Sequence, residues 1–200
     1  MPKQIRQGED IYIAPDILGI YRDGQYLAID ERNNNAQLDP YNIDDKILFY
    51  ERQVKDWFLN RGSRIVHSDY NGFIVLMICM SYLEGVEQYR QGNSSNGDSN
   101  NTFRRALHRM YPNQFDDNDL RRLYTQSRVG LFHDGMVRGE IIINNSFAAS
   151  ISFTNQDIRI SPEKLLLDIK SDFQNYINCL KNADNTELRN NFGNMFYVVP

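Results

Sequence analysis

The segment NGFIVLMICMSYLEGVEQYR, residues 71–90, constrains the fold of this chain more than any other. From Phe73 to Met80 every position is apolar. A helix at a protein surface carries an apolar stripe and a polar face, and one without a polar face has to be surrounded. The segment is therefore read as the central element of a helical core. The run is far shorter than the ~20 residues that cross a bilayer, so no membrane span is expected.

Other elements follow from spacing and turn chemistry. From Asn42, the residues Ile43, Ile47, Tyr50, Val54, Trp57, Phe58 and Arg61 recur at helical intervals, with Gly62 as the stop. TFRRALHRMY reads as a short basic helix ended by Pro112, and Asp116 to Asn118 can cap another that starts near Asp119. Ser161-Pro162-Glu163 is a helix start, and Leu166, Ile169, Phe173, Ile177 and Leu180 form the apolar face that follows. A weaker helix near Thr186–Asn191 and an extended MFYVV stretch come last. Residues 11–30 read as extended, with Asp23-Gly24 signalling a tight hairpin. Residues 138–160 read as two or three short antiparallel strands with turns at Asn144-Asn145 and Asn155-Gln156. The sum is an α+β, mainly α fold: four or five helices (helical core 42–135 and 162–182) with β segments at 11–30 and 138–160. No shift in composition justifies a cut, so 1–200 is read as a single domain.

Charge and cysteine usage narrow the function classes. A formal net charge of −4 over 200 residues argues against holding nucleic acid by bulk electrostatics. Locally the balance differs. Between residues 104 and 128, Arg104, Arg105, Arg109, Arg121, Arg122 and Arg128 face only Asp116, Asp117 and Asp119. Two such helices side by side would offer a phosphate backbone a basic face; the alternative is a solvated face bridged to acids elsewhere. Tyr124, one helical turn before Arg128, can stack a base or fill the core. Cys79 and Cys179 both lie in apolar stretches and are read as buried, reduced thiols of a cytoplasmic protein. With three scattered histidines they form no zinc cluster, and no metal or cofactor is expected. MPKQIRQGED has no apolar core, so no signal peptide is expected. The GNSSNGDSNN loop lacks the lysine of a phosphate-binding P-loop and reads as a flexible connector, which leaves a nucleotide-binding role with little support.

The chemistry-bearing stretch is SRVGLFHDG, residues 127–135. In an unbroken α-helix, residues five apart point about 140° apart. Arg128 and His133 can thus converge only if the helix loosens or ends between them. Gly130 makes loosening cheap, and Gly135 supplies a left-handed terminus. Together the pair suits RNA cleavage by a ribose 2′-OH: histidine moves protons, and arginine holds the phosphorane charge with its planar fork. Glu84, just past the apolar half of the central helix, can orient His133 or hold Arg128. One histidine is thin for both acid and base duties, and a symmetric dimer would double the set. The plain alternative is a helix end, where the macrodipole favours basic groups and Asp134-Gly135 is a turn.

Arg128, four intervening residues and His133 at a helix end resemble the signature of the HEPN superfamily (higher eukaryote and prokaryote nucleotide-binding), in the R-x-G-L-x-H-x-G form seen in bacterial HEPN-like proteins. The resemblance implies a four- to five-helix bundle over 42–135 and the helix from 162, with both β segments as decorations. It implies a homodimer formed through the motif helices, and RNA as the ligand. It also implies a metal-independent endoribonuclease of a bacterial defence or toxin–antitoxin system, with Arg128 and His133 catalytic; Glu84 joins that catalytic set as a supporting residue from its own place on the central helix. Arg104, Arg105, Arg109, Arg121, Arg122 and Tyr124 would be the RNA-binding set. Nuclease members commonly carry a polar residue after the arginine, where this chain has Val129. That difference favours a second reading: a non-catalytic dimerisation module, or one that binds a protein partner such as an antitoxin.

Overall fold

The structure, a computed structural model, describes residues 3–68 and 70–200. It is α+β and mainly α, with two small sheets. Contacts group the described residues into two compact units, one within 3–58, 89–93 and 176–200, the other within 59–68, 70–88 and 94–175. Among the described residues, no helix is long and apolar enough to cross a membrane.

In the first unit, β1 (Ile11–Ala14), β2 (Ile17–Arg22), β3 (Gln25–Asp30) and β4 (Ala36–Leu38) form an antiparallel meander in that order. The expected turn is there. Asp23 and Gly24 have φ of 51° and 79°, and Arg22 pairs with Gln25. Such left-handed pairs match the twist of the strands they join. The β segment is larger than the single hairpin read from sequence. A further turn at Asp16 (φ 56°) separates β1 from β2, and left-handed Asn34 and Asn35 lead into β4. β4 is too short for its alternation to stand out.

α1 (Ile43–Arg52) is capped by Asn42, whose side-chain oxygen accepts from the N–H groups of Asp44 (2.8 Å) and Asp45 (3.3 Å). The helix does not run evenly to Gly62. It widens into π-type turns over Gln53–Leu59 and resumes as α2 (Asn60–Ile65). Wider turns advance less per residue, so a face extrapolated at α-helical spacing slips out of phase. Gln53 is thereby buried and donates to the Ile13 carbonyl (2.6 Å), while Trp57 and Phe58 are exposed. Gly62 is no terminus either: it lies inside α2, where an added Cβ would sit 3.2 Å from Leu166.

The core of this unit is aromatic. Tyr50 lies 4.7 Å from Tyr89 and 5.3 Å from Phe192, ring centre to ring centre. Phe192 stacks on Phe196 at 5.2 Å. Phe192 belongs to α7 (Thr186–Gly193), and the chain beyond it is held by a bond from Ile5 N–H to Val198 O (2.8 Å). Glu51 accepts from Lys55 (2.6 Å) and Lys181 (2.5 Å). Burial raises the pKa of Glu51, but the two ammonium groups outweigh it and leave the carboxyl below its ordinary value. A depressed carboxylate contributes stability that is complete above the unfolded value of about 4.3, and this is lost as pH falls through the lower folded value. Glu51→Gln should therefore flatten the acid limb of stability. Urea midpoints measured from about pH 6 to about pH 3 check this, because parallel curves for both proteins would contradict it.

The second unit contains most of α3 (Gly72–Gln91), α4 (Ser99–Met110), α5 (Asp117–Leu123) and the first part of α6 (Pro162–Lys181). Val75, Leu76, Cys79, Met80 and Leu83 of α3 are fully buried, as a central helix requires. The helix is not covered all round, however: Phe73, Ile74 and Met77 are exposed along one face. The apolar face of α6 is buried at Leu166, Ile169 and Phe173 here, and at Ile177 and Leu180 in the first unit. Ser161 begins α6 as expected, its carbonyl accepting from Leu165 N–H (3.0 Å).

β5 (Ile141–Ile143), β6 (Ile151–Phe153) and β7 (Ile158–Ile160) form a sheet in the order β5-β7-β6. Both expected turns exist: Asn144 O accepts from Phe147 N–H, and Thr154 N–H donates to Asp157 O. The sheet is mixed, though, where sequence suggested all antiparallel, since β5 pairs with β7 in parallel. β7 buries both Ile158 and Ile160 and so takes the central place. Cys79 is buried, and its burial pushes the thiol pKa up. Cys179, expected to be buried too, is exposed on α6, off the stripe that carries Ile177 and Leu180.

Candidate functional site

Asp116 caps α5 by accepting from Asp119 N–H (2.8 Å). Beyond Leu123 the helix widens into π-type turns over Tyr124–Asp134 and ends at Gly135, which is left-handed with φ 71°. The returning chain lies against the widened stretch. Arg138 N–H donates to the Gln126 carbonyl (2.8 Å), and Met136 N–H donates to the Gly130 carbonyl (3.3 Å). That contact explains Gly130 better than looseness does. A Cβ there would stand 2.6 Å from Met136 O and 3.2 Å from Arg138 N, both backbone atoms. The glycine permits a backbone to pass.

Widening changes the relation of Arg128 to His133. With i→i+5 bonding, positions five apart fall about one turn apart instead of on different sides. The side chains nonetheless go separate ways. Arg128 donates to one oxygen of Glu84 from Nε (3.0 Å) and is 2.8 Å from it at Nη2, and its guanidinium lies 4.9 Å from the centre of the Phe132 ring. The other Glu84 oxygen accepts from Ser95 Oγ (2.7 Å), and Ser95 N–H donates to Gln88 Oε1 (3.1 Å). Glu84 and Ser95 are buried. His133 is exposed and makes no hydrogen bond or ion pair among the described residues. Of the two roles open to Glu84, the geometry realises one: it holds Arg128.

Ser95 was not visible as a site residue. It sits in the loop read as a flexible connector, and nothing in the spacing of GNSSNGDSNN separates it from its neighbours. Its bond to Glu84 ties that loop to α3. Removing the carboxylate leaves a half-buried guanidinium without its counter-charge. Glu84→Ala should cost about 2 kcal/mol, and a double-mutant cycle with Arg128→Ala should return a coupling above about 1 kcal/mol. Additive losses would show that the pair contributes nothing.

The arginines proposed to grip RNA are mostly matched by acids of the chain itself. Arg104 meets Asp117 at 2.8 Å and Arg105 meets Asp98 at 3.3 Å. Arg109 bridges Glu87 (3.0 Å) and Asp172, and Arg122 meets Glu140 at 2.9 Å and Asp119 at 3.3 Å. Arg121 is exposed and has no acidic partner among the described residues. Tyr124 packs edge-on against Phe103 at 5.4 Å, on the core side of its helix. His108 bonds Asp117 at 2.9 Å; that bond, together with Arg104, lowers the pKa of Asp117. Among the described residues, no group of three or more His, Cys, Asp or Glu is placed to hold a metal ion. Compared with protein-family models, with curated proteins and with solved structures, the chain shows no match.

Proposed function

We propose that this chain is a HEPN-like module that pairs with a second copy through the end of its Arg-x4-His segment. The observation that carries this reading is the rim around His133. Phe132 is 43% exposed and Met136 is 56% exposed, while the charge of Arg128 is already met by Glu84. Aromatic residues and methionine are enriched in interface cores, where unmatched charge is depleted. Arg128 then shapes the surface by stacking on Phe132, and His133 contributes a polar contact. Sedimentation velocity tests the reading. The native protein should run as a dimer, and Phe132→Ser/Met136→Ser as a monomer with an unchanged melting temperature. A native protein that stays monomeric at every concentration sinks the proposal.

A second reading, metal-independent cleavage of RNA, is favoured by the free imidazole of His133 one wide turn from Arg128. In a symmetric pair, one His133 would take the proton of the 2′-OH and the other would protonate the leaving oxygen. Arg128 would stabilise the phosphorane only as far as Glu84 releases it. Of the flanking arginines, Arg121 is available, and the rest bind phosphate only by giving up their acids. RNA degradation in chelator, compared among native, Arg128→Ala and His133→Ala proteins of equal melting temperature, decides it. Equal activity in all three, or none in the native protein, removes the catalytic assignment.

A further inference from the structure

A separate feature of the second unit lies at the open edge of β5. In its parallel pairing with β7, Glu140 O accepts from Ile158 N–H and Asn144 N–H donates to Ile160 O. Alternate residues of a strand turn their backbone groups to opposite edges, so the polar groups of Ile141 and Ile143 face away from β7. Ile141 N–H is used by the Arg138 carbonyl (3.1 Å). The Ile141 carbonyl and both groups of Ile143 make no bond among the described residues. Edges of this kind are normally blunted by charge, proline or a covering element, because they are templates for another strand. Here the edge is three isoleucines, and Ile142 is 40% exposed.

Beside this edge lies an open cavity of about 640 Å³, lined among others by His67, Tyr70, Phe73, Ile143 and Glu163. Tyr70 is 97% exposed and has φ of 68°, a left-handed conformation that a bulky residue adopts only under constraint. Phe73 adds a second exposed ring. Among the described residues, Glu163 is the carboxylate of the lining, 3.8 Å from His67. The adjacent cation is turned elsewhere: Lys164 Nζ donates to the carbonyls of Phe147 and Ala148. Two aromatic faces beside a carboxylate suit a cation, and an open strand edge suits an extended backbone.

We propose that the β5 edge and this cavity bind an extended, basic peptide segment of a partner protein. The peptide adds as a strand along Ile141–Ile143, and a Lys or Arg side chain enters between Tyr70, Phe73 and Glu163. The site is distinct from the Arg128–His133 segment and does not depend on its role. The probe is a short blocked peptide alternating valine and lysine, with its valine–glutamate counterpart and a backbone N-methylated version as controls. The valine–lysine peptide should bind saturably to the full chain and shift the amide resonances of Ile141 to Asn144. N-methylation and the acidic counterpart should abolish binding. Glu163→Gln, at a half-buried position, and Tyr70→Asn, at an exposed one, should each weaken it about tenfold, equal to about 1.4 kcal/mol. No saturable binding by the lysine peptide, equal binding of the acidic one, insensitivity to N-methylation, or resonance shifts confined to another surface would each overturn the proposal.

Discussion

Phe192→Ala should lower the stability of the protein by about 4 kcal/mol. The ring is wholly buried, stacks on Phe196 at 5.2 Å and lies 5.3 Å from Tyr50 and 5.9 Å from Tyr89. Truncation removes the transfer free energy of a phenyl group and several ring contacts, and it leaves a void bounded by rigid aromatic neighbours. Collapse into that void is restricted. The backbone of α7 already lies close to Gly92, where an added Cβ would be 2.9 Å from the Asn191 Cα. Urea unfolding with an unchanged slope is the measurement. A loss below about 1.5 kcal/mol would mean that the aromatic cluster repacks freely, contrary to the geometry described.

Gly130→Ala should cost about 3 kcal/mol, a large effect for a single methyl group. Its Cβ meets the Met136 carbonyl and the Arg138 amide, and a backbone cannot yield as the tip of a long side chain can. Relief requires the returning chain to lift, which breaks the Arg138–Gln126 bond. Gly139→Ala is the matched control, since a Cβ there touches nothing within 4 Å. Its effect should stay within about 0.5 kcal/mol. Equal melting temperatures for the two variants would show that the chain after Gly135 is not pressed on the helix in solution.

Much of this architecture was legible because it rests on local chemistry. Asp23-Gly24 declares its turn through two left-handed residues, Ser161-Pro162-Glu163 declares its helix start, and the stripe from Leu166 to Leu180 declares its buried face. The misreadings have a common origin in long-range contacts. Both widened helices depart from the spacing assumed for them, and in the second the acceptor at Gln126 is shared with a residue twelve positions later in the chain. The parallel pairing of β5 with β7 is likewise invisible locally, because β6 intervenes in sequence but not in space. At the candidate site, the glutamate was recognisable as a possible holder of Arg128. The serine on its other oxygen was not, because its loop is ordered by α3 and not by its own sequence.

The contrast between the two thiols makes this protein a convenient clock for its own opening. A maleimide reacts with thiolate, so in the native state it should modify Cys179 and spare Cys79, which is buried and holds its proton. After the first label has been counted, a second can arrive only when the core around α3 becomes accessible. The rate of that second modification, followed by intact mass, therefore times the exposure of the central helix without any engineered reporter.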